Sequence, residues 1–137
     1  MIAPAAGPPA PRLDPAAALL RWAPAVLWAA VIFTLSSMSG LPAPPSGFTD
    51  KHAHVVTYGV LCALVVWGLT DRAPGRTTWS VSAVAAVLAT LYGVSDEWHQ
   101  SFVPGRDVSV LDLAADASGA VVAAVGLRAW AIIRARR

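Results

Sequence analysis

Apolar and polar positions fall along this chain in blocks much longer than a β-strand. Four mostly apolar runs cover roughly residues 19–35, 54–69, 78–94 and 111–133, separated by short polar or Pro/Gly-rich segments. At 1.5 Å rise per residue, helices of these lengths cover the ~30 Å hydrocarbon core of a bilayer, the shorter runs only just. No run shows the period-2 alternation of barrel strands. In hydrocarbon only helices and closed barrels satisfy their backbone polar groups, and four spans cannot close a barrel. The pattern therefore predicts an all-α fold, an integral membrane bundle of four transmembrane helices. The Pro/Gly-dense segment 1–15 reads as a disordered tail, 16–133 as the membrane domain and 134–137 as a short basic tail. Pro24 is expected in the first turn of the first helix, where a missing N–H costs little.

Composition agrees. Hydrophobic residues make up 56% and charged residues 13% of the 137 positions, and the mean hydropathy is +0.58. A soluble domain carries about 25% charged residues. The net charge of +2 forms no basic stripe, which excludes a nucleic-acid partner. The single cysteine, Cys62, lies in an apolar run and reads as a small packed hydrophobe. The first run could be mistaken for a secretory signal, but it exceeds the usual apolar core of about 7–15 residues, so it is read as an uncleaved anchor.

Charge is distributed by side. Arg12, Arg21, Arg72, Arg76, Arg134, Arg136 and Arg137 fall in segments that share one side of a four-span bundle, against Lys51 and Arg106 on the other. The positive-inside bias places both termini and the 70–78 segment in the cytoplasm. Trp22, Trp67, Trp79 and Trp130 lie at the same ends, as an aromatic belt would, and Arg128 is close enough to that boundary to snorkel. The expected location is the cytoplasmic (inner) membrane, multi-pass.

The opposite rim then gathers most of the acids. Asp50, Lys51, His54 and Tyr58 can share one face at the start of the second run, with Asp50 also a candidate N-cap. Asp96, Glu97 and Gln100 follow the third run, and Pro104-Gly105 offers a turn to bring Arg106 back to one of those acids. Ser109 and Asp112 fit a capping box before the fourth run. Asp116 lies about two turns into that run, where an aspartate is either buried and protonated or held ionised by Lys51, Arg106 or a histidine. Small residues at four-residue spacing, Ala85, Ala89 and Gly93 in the third run and Ala115, Gly119 and Ala123 in the fourth, allow close helix approach. His54, Asp96, Glu97 and His99 are metal ligands by type, but their spacing matches no standard signature, so no metal and no cofactor is expected.

The set Leu35-Ser36-Ser37, Asp50-Lys51 with His54 and Tyr58, Asp96-Glu97 with Gln100, Phe102 and Pro104-Gly105-Arg106, and Asp112 with Ala115-Asp116 and Gly119 resembles the VanZ-like family over roughly residues 21–127. Asp116 stands where many members have asparagine. The resemblance implies a small bacterial cell-envelope membrane protein and an association of the namesake with resistance to the glycopeptide teicoplanin. It implies no defined activity. Three functions stay open. The first is a non-catalytic protein whose outer-facing cluster (Asp50, Lys51, His54, Tyr58, Asp96, Glu97, Gln100, Arg106, Asp112, Asp116) binds or modulates an envelope component such as a lipid-linked cell-wall precursor. The second is an enzyme on a lipid-linked substrate, with His54 and Glu97 as acid/base candidates. The third is an assembly module. The partners expected are membrane lipids, such a precursor, a second copy of the chain or other membrane proteins.

Overall fold

The computed structural model describes residues 15–39, 47 and 49–137. The tail expected over 1–15 lies outside the described residues, except for Pro15, which opens a helix. Among the described residues the fold is all-helical, with no strand: α1 (Pro15–Ser36), α2 (Asp50–Leu69), α3 (Trp79–Gln100) and α4 (Val110–Ala135), with a single 3₁₀ turn (Pro74–Arg76) between α2 and α3. All four are long and apolar enough to cross a membrane. Their outward faces carry large apolar side chains such as Leu27, Phe33, Leu91 and Val122, all exposed. Water would not tolerate that much contiguous apolar surface, whereas lipid tails do. The chain is a multi-pass membrane protein.

The helices extend past the apolar runs at their polar ends. α2 starts at Asp50 and α3 continues through Gln100, so the polar residues there are helical rather than loop residues. Pro24 lies inside α1, not in its first turn, because the helix begins at Pro15. Pro15 takes the first position, where its own lack of an N–H costs nothing. Pro24 leaves the Leu20 carbonyl without its helical donor on an exposed part of the helix.

Small residues make the seams. Ala85, Ala89 and Gly93 are all buried, as are Ala115 and Gly119. Further along α4 the seam runs through Ala120 and Ala124, while Ala123 is half-buried. α2 and α4 make the most extensive helix contact. Tyr58, Leu61, Cys62, Val65 and Val66 of α2, with Ala25 and Ile32 of α1, complete the core. Ser82 Oγ donates to the Ala124 carbonyl at 3.1 Å and joins α3 to α4.

α1 is the least enclosed helix, with 11% of its apolar window buried against 28–33% in the others. It is held by side chains: Trp28 Nε1 donates to the Thr57 carbonyl at 3.0 Å and Tyr92 Oη to the Ala29 carbonyl at 2.7 Å. Trp22 packs on Gly68, where a Cβ would lie 2.7 Å from its ring. Arg21 pairs with Asp71, which sits with Arg72 in the left-handed region just past α2. At the same end Arg128 reaches the rim, where it donates to the Thr77 carbonyl at 2.9 Å and lies over the Trp79 ring. The basic and tryptophan-rich end is thus one rim, and Ser36, Asp50, Gln100 and Asp112 mark the other.

Candidate functional site

The polar rim is built on the first turns of α2 and α4 and the last turns of α1 and α3. Thr49, in extended conformation, is the N-cap of α2, and its N–H donates to His52 Nδ1 at 3.0 Å. Asp50 is therefore the first helical residue rather than the cap. Its carboxylate still favours the positive end of the helix, and it accepts from the Lys51 N–H at 2.9 Å and from Lys51 Nζ at 3.1 Å. Lys51 Nζ also binds Asp112 Oδ1, so one ammonium bridges α2 and α4.

One turn deeper, His54 Nδ1 lies 2.8 Å from Asp116 Oδ1. Asp116 is fully buried. Of the three partners open to it from sequence, the structure selects the histidine. Tyr58 continues the same face of α2, its ring stacked on His54 with centroids 6.3 Å apart. Gly93 of α3 makes room for the pair, since a Cβ there would lie 2.8 Å from Asp116 Oδ2.

α3 supplies two buried acids with different partners. Asp96 Oδ2 accepts from Ser36 Oγ at 2.8 Å and from Gln100 Nε2 at 2.9 Å, tying the end of α1 to the end of α3. Glu97 Oε2 accepts from the Ser109 N–H at 2.8 Å. Ser109 is the N-cap of α4, and its Oγ accepts from the Asp112 N–H at 3.3 Å. The capping box expected within α4 is thus completed from outside. Asp112 is drawn to Lys51, and Glu97 takes the reciprocal place at the Ser109 N–H.

Arg106 does not meet Glu97. Among the described residues it makes no ion pair, and its Nε is buried without a hydrogen-bond partner. The turn before it closes on the backbone instead, with the Arg106 N–H donating to the Val103 carbonyl at 3.1 Å. Of the ten clustered residues expected from sequence, nine take part in the contacts above, as the groups Asp50–Lys51–Asp112, His54–Asp116–Tyr58 and Asp96–Gln100 with Glu97 held by Ser109, and the Arg106 side chain takes part in none. Residues outside that set also contribute: Ser36 holds Asp96, Ser109 receives Glu97, and Ser37 Oγ lies 2.9 Å from His99 Nε2. The Ser36-Ser37 pair at the end of the first apolar run was the available signal.

Two buried side chains of the rim each keep an oxygen with no hydrogen-bond partner among the described residues, Glu97 Oε1 and Asp116 Oδ2, while Tyr58 Oη is turned toward the Asp96 carboxylate. Such groups are costly away from water. The arrangement can accept donors or a cation at these oxygens. Spacing along the chain gave no metal signature, yet the fold gathers His54, Glu97 and Asp116, with one ligand atom of each within 4.8 Å of the others.

The VanZ/LLP1 family model matches residues 12–133, nearly the whole chain. No curated protein and no solved structure gives a significant match.

Proposed function

The chain belongs to the VanZ/LLP1 family, and from that premise we propose that its polar rim is an envelope-facing binding site for the headgroup of an amphiphile. One observation carries this reading: among the described residues, buried acceptor oxygens on Glu97 and Asp116 lack donors, while Arg106 at the same rim lacks an acid. Hydroxyl or ammonium donors suit the carboxylates, and a phosphate suits the guanidinium, which accepts it in bidentate fashion. Lys51 is less available because Asp50 and Asp112 already hold it. A lipid-linked cell-wall precursor combines phosphate, sugar hydroxyls and a tail that can lie along the apolar faces of the bundle. The distribution of arginines supports an outward-facing rim in the cytoplasmic membrane.

The test is binding of a polyprenyl-diphosphate-linked saccharide to the full chain in nanodiscs. Arg106→Ala should weaken it at least tenfold, as expected for a lost charge-assisted contact. Unchanged affinity overturns the reading. The teicoplanin association implied by the family suggests a cellular readout. Expression of the wild type should alter susceptibility to that drug, and Arg106→Ala should reverse the change.

A second reading is favoured by the His54–Asp116 pair, an imidazole oriented by a carboxylate with Glu97 close by. That is the geometry of a general base and its orienting group. Under this reading the headgroup is cleaved rather than held. Turnover of the same saccharide lipid by the purified chain, lost in His54→Ala, would support it, and binding without turnover rejects it.

A further inference from the structure

We propose that His54, Glu97 and Asp116 bind a divalent cation of the Zn²⁺ or Mn²⁺ class at the polar rim. Three helices contribute one ligand each: His54 from α2, Glu97 from α3 and Asp116 from α4. Two ligand atoms each about 2.1 Å from an ion, at angles of 90–110°, lie roughly 3.0–3.4 Å apart. His54 Nδ1 and Asp116 Oδ1 are 2.8 Å apart, close to that spacing, and no separation in the triad exceeds 4.8 Å. Small side-chain adjustments suffice to share one ion.

The second support is charge and satisfaction. Asp116 is 0% and Glu97 6% exposed, and each has a buried oxygen, Oδ2 and Oε1, without a hydrogen-bond partner among the described residues. Lys51 is committed to Asp50 and Asp112, and Asp96 is served by the neutral donors Ser36 and Gln100. No basic side chain pairs with Glu97 among the described residues, and Asp116 has only the imidazole. With so little positive charge around the two carboxylates, a dication held together with a neutral imidazole balances them. One nitrogen and two carboxylate ligands suit Zn²⁺, Mn²⁺ or Fe²⁺ better than Ca²⁺ or Mg²⁺, which prefer all-oxygen cages, or Cu⁺, which prefers sulfur.

The experiment uses the full chain in nanodiscs with no headgroup ligand, so its outcome is independent of the Arg106 assay. Zn²⁺ and Mn²⁺ are titrated by calorimetry after EDTA treatment and dialysis. One ion per chain is expected, with at least tenfold weaker binding in Glu97→Gln and His54→Ala and unchanged binding in Asp107→Asn, an exposed acid outside this cluster. Glu97→Gln keeps an oxygen for the Ser109 N–H, so its fold should persist. On the wild type alone, Mn²⁺ electron-spin-echo spectra should show nitrogen coupling from one imidazole, and the thermal midpoint should rise on Zn²⁺ or Mn²⁺ addition. No stoichiometric binding to the wild type, no nitrogen coupling, or undiminished affinity in folded Glu97→Gln would each overturn the proposal.

Discussion

His54 on α2 and Asp116 on α4 meet across sixty-two positions of sequence, with Nδ1 2.8 Å from Oδ1. Asp116 is fully buried, and the His54 side chain keeps 19% of its surface. Removing one partner of such a pair leaves the other desolvated and alone. His54→Ala should therefore destabilise the bundle by about 3 kcal/mol, the low end for a broken buried pair because of that residual exposure. Asp116→Asn removes the charge but keeps the shape and a hydrogen-bonding oxygen, and should cost about 1 kcal/mol. Equilibrium unfolding in mixed detergent micelles measures both. A larger loss for Asp116→Asn than for His54→Ala would contradict the assignment of Asp116 as the residue that needs a partner.

The approach of α4 to α2 depends on Gly119. A Cβ there would lie 2.8 Å from the carbonyl carbon and 2.9 Å from the Cα of Val55, and would overlap the carbonyl oxygen. These are backbone atoms, so the helices themselves must separate. Gly119→Ala should cost about 3 kcal/mol, the upper part of the range for overpacking, and should loosen His54 from Asp116 one turn away. Gly126 lies on the same helix, and a Cβ there would meet nothing within 4 Å, so Gly126→Ala should stabilise by up to about 1 kcal/mol, the ordinary helix gain of alanine over glycine. Thermal unfolding of the two variants side by side separates the close approach from a general glycine effect.

The helices were legible because hydrocarbon permits so few alternatives, and the seam of Ala85, Ala89 and Gly93 was legible from its spacing. Helix ends were not. Hydropathy stops near Val94, whereas α3 continues to Gln100 because Asp96 and Glu97 find donors on α1 and at the start of α4. The membership of the polar rim could be read from residue type and order, but not its pairings. Periodicity places residues on a face without fixing how neighbouring helices are rotated. Charge and the Pro104-Gly105 turn point Arg106 toward Asp96 or Glu97. The unpaired N–H groups at the start of α4 compete for the Glu97 carboxylate and hold it. Ser36 was visible in the family-like pattern, yet a single hydroxyl gave no hint that it would anchor Asp96.

Glu97 should therefore behave as a cap supplied by another helix. Glu97→Ala removes the acceptor of the Ser109 N–H and should cost about 1 kcal/mol, the usual loss of an N-cap contact. Its signature is local. Amide hydrogen exchange should accelerate at Ser109 and through the first turn of α4, while α2 amides next to the Thr49 cap stay protected. Glu97→Gln retains an oxygen acceptor and should leave exchange near the wild-type rate. Uniform acceleration across both helices would indicate that Glu97 serves the bundle as a whole rather than that one N–H.

The orientation inferred from the arginines can be checked without knowing any ligand. Gly75, in the 3₁₀ turn at the basic rim, and Ser101, just past α3 at the polar rim, are both exposed. Neither carries a charge, so replacing them leaves the positive-inside bias intact. A Cβ at Gly75 meets only ordinary contacts, 3.7 Å from Arg134 and 4.0 Å from Trp130. Cys62 is 0% exposed and unreactive toward an aqueous reagent, and Cys62→Ala removes it from the background. In intact cells a membrane-impermeant maleimide should label Ser101→Cys and spare Gly75→Cys, which should react only after permeabilisation. The reverse pattern would place the carboxylates, His54 and Arg106 on the cytoplasmic side. Seven arginines on the outer rim would then contradict the charge bias, and an extracytoplasmic headgroup could not reach the site.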